Sequence, residues 1–306
     1  VAKTQRINGL YRRLKSSLIP RLCLRTSVYP DFLAKLFFYT TIRMVIHQLQ
    51  QVAVLDLLGG RLVAGQGGRR RSYRPIEEHW RLSQRTPRDW ALTLNRELAI
   101  RQFYIADLDA IEGRDYQTGV RLAEELLDFG FSVWLDGGNG PHAATLHRHL
   151  KNRSGDYWAV CPTEGGGVRE RTFGPWFGVP TAEQILSIDL QGTPQLFPSS
   201  LVTSGSQVGQ HSLCDRSDLP AVSALKWYGS EETAKESDVL AVVQKAIQAG
   251  IRRVILLNLT DVGAEGNQML PWLRQLQSKL PSVDWILGGG INPQRDHAHL
   301  AACECT

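Results

Sequence analysis

The feature that most limits what this chain can fold into is a pattern that occurs twice. Val54-Leu-Asp-Leu-Leu-Gly59 is matched by Ser187-Ile-Asp-Leu-Gln-Gly192, with the acid, the following leucine and the glycine in the same places. Ala106-Asp-Leu followed by Glu112-Gly113 is echoed by Leu257-Asn-Leu followed by Glu265-Gly266, and Trp134-Leu-Asp-Gly-Gly138 by Trp285-Ile-Leu-Gly-Gly289. The last two matches share one spacing, 151 residues from Asp107 to Asn258 and 151 from Trp134 to Trp285, whereas Asp56 and Asp189 are 133 apart. The difference of 18 puts an insertion between the fifth and sixth strands, within the Ser-, Gly- and Pro-rich stretch 191–232. A long loop of that composition after a strand is where such a fold carries function.

Apolar runs bounded by glycine read as strands buried on both faces. They are expected at 52–57, 102–108, 131–135, 157–161, 185–190, 253–259 and 283–287, with helical spacing at 77–100, 116–129, 143–150, 233–249 and 267–280. Alternation of this length predicts a parallel sheet, and the two-fold repeat favours two half-barrels over an open sheet, that is, a (βα)8 TIM barrel. Only seven strands can be counted. After Gly288-Gly-Gly-Ile-Asn-Pro293, residues 296–302 suit a short helix and no apolar run is left for an eighth strand. Because a missing strand exposes two unpaired edges, two readings compete. The favoured one is an incomplete chain lacking its eighth strand; the alternative is that the apolar stretch 36–46 fills the gap.

Residues 1–43 differ from the rest, with nine Lys/Arg and Asp31 as their one acid. They are read as an extension outside the functional domain, which then spans 44–306 and can start at Met44. No transmembrane span is expected, since Lys35 and Arg43 interrupt the apolar run. The formal charge of +5 resides in this segment; the remainder has 26 basic and 29 acidic residues, which argues against a nucleic-acid partner. The five cysteines are scattered and contain no C-x-x-C pair, as expected for a reducing, cytoplasmic compartment and no metal centre. No cofactor is called for, and a monomer is the expected state.

Asp56 and Asp189 end the first and fifth strands, which are opposed across a barrel mouth, so they are the candidate acid/base pair. Gly137 and Gly138, and Gly289 and Gly290, lie in strand-to-helix turns whose backbone N–H groups suit a phosphate at each end of a small substrate. Asp107 adds an acid at the same mouth, and Thr163 is a candidate hydrogen-bond partner for substrate. The three arginines of Gly67-Gly-Arg-Arg-Arg-Ser-Tyr-Arg-Pro75 sit just after the first strand, where they can attract an anion.

Together, Leu55-Asp-Leu, Ala106-Asp-Leu-Asp-Ala-Ile-Glu-Gly, Ile188-Asp-Leu and Gly288-Gly-Gly-Ile resemble the histidine-biosynthesis (βα)8 family over roughly 52–302. That family includes ProFAR isomerase and the cyclase subunit of imidazole glycerol phosphate synthase. The resemblance implies an aldose-to-ketose (Amadori) rearrangement of a phosphorylated ribosyl-amine, with Asp56 and Asp189 as general acid and base and the glycine turns on the phosphates. Ala64 stands where the cyclase has a lysine, so cyclisation is not expected. Asp136 and Asn139 stand within a turn that the family builds as a glycine triplet followed by Ile-Arg, and Ala264 lies near the place of an isomerase threonine. These departures resemble the isomerase-related branch found with methanopterin-type one-carbon cofactors. That branch implies a different phosphosugar-like or pterin-related substrate, or a decayed barrel, as the alternative to the histidine enzyme.

Overall fold

A computed structural model describes residues 40–45, 48–79, 85–138, 143–164, 179–193, 225–264 and 268–290. The expectations for 1–39, for most of the 191–232 insertion and for 296–302 lie outside these residues.

The strands are β1 (Thr40–Val45), β2 (Gln48–Leu58), β3 (Arg61–Ala64), β4 (Arg74–Pro75), β5 (Gln102–Asp107), β6 (Ser132–Asp136), β7 (Tyr157–Pro162), β8 (Gln184–Gln191), β9 (Lys226–Trp227), β10 (Arg253–Asn258) and β11 (Asp284–Gly288). The helices are α1 (Ile76–His79), α2 (Pro87–Leu98), α3 (Leu108–Ile111), α4 (Gln117–Asp128), α5 (Ala143–Leu150), α6 (Glu236–Ala249) and α7 (Leu270–Lys279). β2, β5, β6, β7, β8, β10 and β11 are parallel neighbours in that order. β1 pairs antiparallel with β2, Thr40 opposite Ala53, and antiparallel with β11, Ile42 opposite Leu287.

This corrects the expected (βα)8 barrel lacking its eighth strand. The sheet is mixed and curled, mostly parallel, with seven helices among the described residues, two of them a single turn long. The place assigned to an absent eighth strand is held by β1, which comes from the segment before the first expected strand and runs the opposite way. β1 supplies the backbone groups that the free edges of β2 and β11 would otherwise leave unpaired. It begins at Thr40, four residues before Met44, and its hairpin partner lengthens β2 back to Gln48. β2 is followed by the short antiparallel strands β3 and β4 rather than directly by a helix.

Side-chain alternation divides each parallel strand into two faces. Leu186, Ile188 and Leu190 of β8, Val254 and Leu256 of β10, and Trp285 and Leu287 of β11 pack outward against Val239, Val242, Val243 and Ala246 of α6 and Trp272, Leu273 and Leu276 of α7. The opposite parity, Val52, Tyr104, Ala106, Trp134, Val160, Ile185, Ile255 and Ile286, forms a second apolar cluster inside the curl. Helix ends follow local sequence. Thr86 caps α2 by accepting from the Asp89 N–H while Asp89 accepts from the Thr86 N–H, with Pro87 opening the helix. Gly250 closes α6 at φ 103°. None of the described helices is long and apolar enough to cross a membrane.

Candidate functional site

The inward parity that buries Val52 carries Asp56 to the C-terminal part of β2, the parity of Ile185 carries Asp189 to that of β8, and the parity of Trp134 carries Asp136 to the end of β6. β2 and β8 are four strands apart in either direction along the pairing order, so Asp56 and Asp189 arise from opposed strands. Asp56 and Asp136 flank Ala106 in register, leaving a notch at a small side chain. One layer below, Tyr104 donates its hydroxyl to Asp136 Oδ2 at 2.8 Å. The charges of Asp136, Asp189 and Asp56 all act on this phenol, and with burial they hold it well above its ordinary range. All three aspartates thus lie within electrostatic reach of this one phenol.

Their environments differ. Asp189 is 4% exposed. Its Oδ1 accepts from Ser187 Oγ at 2.6 Å, and its Oδ2 accepts from the Thr163 N–H at 2.8 Å, the Glu164 N–H at 3.2 Å and Thr163 Oγ1 at 3.3 Å. Burial raises its pKa to about 6, a rise that these donors hold back and the Glu164 charge adds to. Asp136 is pushed up to about 7 by burial and by the Asp189 charge, opposed by the Gly138 N–H and the Tyr104 hydroxyl. Asp56 is half-buried. Burial raises it to about 7, and the opposing influence is the charge of Arg70.

The loop 65–73 lies across Asp56. A Cβ at Gly65 would come within 2.8 Å of Asp56 Oδ2 and of Val262 Cγ1, so only glycine lets the backbone approach this closely. The loop is tied down by Gly67 N–H donating to Val262 O at 2.9 Å and by Tyr228 donating its hydroxyl to Gly68 O at 2.8 Å. It delivers Arg70, whose Nη2 lies 2.6 Å from Glu164 Oε2 and whose Nη1 lies 3.6 Å from Glu112. The same guanidinium lies 5.7 Å from the centre of the Tyr228 ring.

The other residues singled out in the sequence are placed as follows. Asp107 has the outward parity: it caps α3 through the Ala110 N–H at 3.1 Å and accepts from the Gly119 N–H at 2.9 Å, away from the three aspartates. Thr163 holds Asp189, and its Oγ1 also accepts from the Asp189 N–H at 2.8 Å. At the turn after β6, the Gly138 N–H donates to Asp136 Oδ1 at 3.0 Å, and Gly138, at φ 73°, has no room for a side chain beside Ile111. Gly137 adjoins it. Gly289 and Gly290, at φ 86° and 59°, turn the chain after β11 on the far side of the sheet path from β6. Among the described residues no group of three or more His, Cys, Asp or Glu is arranged to hold a metal ion.

Sequence reasoning missed Asp136, Tyr104, Ser187, Glu164 and Tyr228 as parts of the site. Strand alternation held the signal for the first three: Trp134 and Asp136, Tyr104 and Ala106, and Ser187 and Asp189 are each two residues apart and share a face. No family model matches the chain, and no curated protein matches it.

Proposed function

We propose that the protein is an acid/base isomerase that moves a proton within a small polyol amine. The specific reading is an Amadori rearrangement of a phosphorylated ribosyl-amine of the ProFAR type. The observation that carries it is the pair Asp56 and Asp189, inward on opposed strands, with pKa values raised to about 7 and about 6. Two carboxyls so tuned supply a protonated acid and an ionised base near neutral pH.

The roles follow from the surroundings. Asp189 accepts four hydrogen bonds and is the more readily ionised, so it is the base that takes the proton from the sugar C2. Asp56 is screened by no described side-chain hydrogen bond and keeps its proton to higher pH, so it is the acid that protonates the ring oxygen as the C1–O bond opens. The state with Asp189 charged and Asp56 neutral is most populated between pH about 6 and about 7.

The test is turnover of a phosphoribosyl-amine by the full chain, followed as aminoketose formed. Asp56→Asn and Asp189→Asn should each lower kcat/KM by about 10²- to 10⁴-fold, the usual worth of a positioned acid or base. Unaltered turnover in either variant removes that residue from the mechanism, and no turnover by the folded parent chain removes this substrate.

A further inference from the structure

The acid/base reading gives no role to the cation that acts on Asp56. Arg70 starts a three-residue helical turn, Arg70–Ser72, on the loop that crosses Asp56. Its partners come from elements far apart in sequence: Glu164 follows β7, Glu112 follows α3, and Tyr228 follows β9. The Arg70 side chain is only 15% exposed, and that of Glu164 only 16%. An ion pair so enclosed costs desolvation, which good geometry offsets, and removing one partner alone is expensive. Such an arrangement fixes a charge in one place.

The fixed charge divides the two aspartates. On the Asp56 side lies the crossing loop, whose Gly65 backbone packs against Asp56 Oδ2 and whose Arg70 charge acts on Asp56, together with Tyr73 of the loop and Tyr104 of β5. Around Asp189 stand Glu164 from the end of β7, Asp136 from β6, Tyr104, and Tyr228. The only cation in these two sets is thus on the Asp56 side, while Glu164 joins both. Its N–H donates to Asp189, and its carboxylate holds Arg70. Tyr228 completes the frame, donating its N–H to the Asp189 carbonyl at 2.9 Å and its hydroxyl to the loop at Gly68.

We propose that Arg70 is a positioning residue for the proton transfer: clamped by Glu164 across the mouth, it sets how tightly Asp56 holds its proton, and the same ion pair fixes the Glu164 charge beside Asp189. This rests on the acid/base reading for its purpose, though not for its measurement. Without Arg70, Asp56 would bind its proton more tightly and release it only at higher pH, slowing its return to the substrate. Without Glu164, Asp189 would lose a neighbouring negative charge and ionise more readily.

The experiment is a ¹³C-carboxyl NMR titration of the aspartates in the full chain. Arg70→Gln alone takes the guanidinium away from the Glu164 carboxylate, so the principal variant is Arg70→Gln with Glu164→Gln, which leaves a neutral pair of similar shape. The expected result is a rise of about one pH unit in the Asp56 midpoint, the size of effect a nearby opposite charge exerts, together with a fall in the Asp189 midpoint. Arg70→Lys should return the Asp56 midpoint most of the way. Shifts of opposite sign are not what a merely structural role produces. An Asp56 midpoint unmoved in the folded double variant, or both midpoints moving together, overturns the proposal. If the midpoints move as expected while no phosphoribosyl-amine is turned over by the parent chain, the isomerase reading fails and the role of Arg70 in proton affinity stands. If the parent chain turns over substrate and Asp56 does not move, Arg70 alone loses its role.

Discussion

Asp56 and Asp189 come from matching stretches of sequence and end in opposite circumstances. Both follow a β-branched or leucine residue and precede Leu, and both face inward from opposed strands. Asp189 is clamped by the β7–β8 corner, where Thr163, Glu164 and Ser187 all donate to it. Asp56 lies under a glycine-backed loop and is opposed by a single guanidinium. The repeat therefore reproduces the position of a carboxyl and leaves its proton affinity to whatever local donors surround it. A substitution that treats the two sites alike in sequence should separate them in behaviour.

The largest separation is expected in stability. Asp189→Asn replaces one acceptor oxygen by an NH₂ group, which must face Ser187 Oγ or the Thr163 and Glu164 N–H groups. Facing Ser187, the NH₂ can donate to the hydroxyl oxygen, but the Thr163 and Glu164 N–H groups then donate to a neutral amide oxygen instead of a carboxylate, a loss of about 1 kcal/mol or more each, so this variant should lose about 2–3 kcal/mol in denaturant unfolding. Asp56→Asn breaks no described side-chain hydrogen bond and should lose none. Equal losses in the two variants would show that Asp56 has donors of its own.

Next in size is the pH dependence of folding. All three aspartates are raised above the unfolded value, so the folded chain binds their protons more tightly than the unfolded chain does. Their contribution is fully present below the unfolded carboxyl pKa of about 4, declines as pH rises through about 6 to 7, and is absent above that. Thermal unfolding should accordingly show a chain less stable at pH 8 than at pH 5 on account of these groups. Asp56→Asn should add about 1–2 kcal/mol at pH 8, since burying an ionised Asp56 is what costs there, with activity traded for stability. A variant no more stable than the parent at pH 8 would mean that Asp56 is well solvated.

How much of this was legible in the sequence depends on whether the deciding interaction is local or not. The inward placing of Asp56 and Asp189 was legible because the repeat marks strand ends, and strand ends fix where a side chain emerges. Asp107 misled because one residue decides the face: Ala106 points inward, and the next side chain therefore points out, to cap α3. Asp136 looked like a lost glycine, although its two-residue spacing from Trp134 already put it on the inner face. Arg70 could not be told from Arg69 or Arg71, since its partners Glu112 and Glu164 are brought to it only by the fold. The direction of β1 was equally hidden. The apolar stretch 36–46 was visible as a candidate for the open place, but an antiparallel strand satisfies two free edges as well as a parallel one does, and nothing local in Thr40–Val45 chooses.

Smaller effects sharpen the contrast at Asp189. Ser187→Ala removes the 2.6 Å donor to Oδ1, so the charged form loses support and the pKa should rise by about 0.5–1 unit. In the pH profile of kcat/KM, the acid limb belongs to the base and should move up by that amount, while the alkaline limb stays with Asp56. An alkaline limb that moves instead would exchange the two roles.

The smallest effect runs through Asp136. Tyr104→Phe removes the hydroxyl that donates to Asp136 Oδ2, so Asp136 should keep its proton to higher pH. A neutral Asp136 no longer repels the Asp189 charge, and Asp189 should then ionise more readily. The acid limb is expected to move down by a few tenths of a unit, opposite in sign to Ser187→Ala although both variants remove a hydroxyl donor from an inward aspartate. The sign separates a direct hydrogen bond from a charge felt through a neighbour. An acid limb that moves up in Tyr104→Phe would mean that the phenol supports Asp189 itself, and Asp136 would then drop out of the set of carboxyls that tune the base.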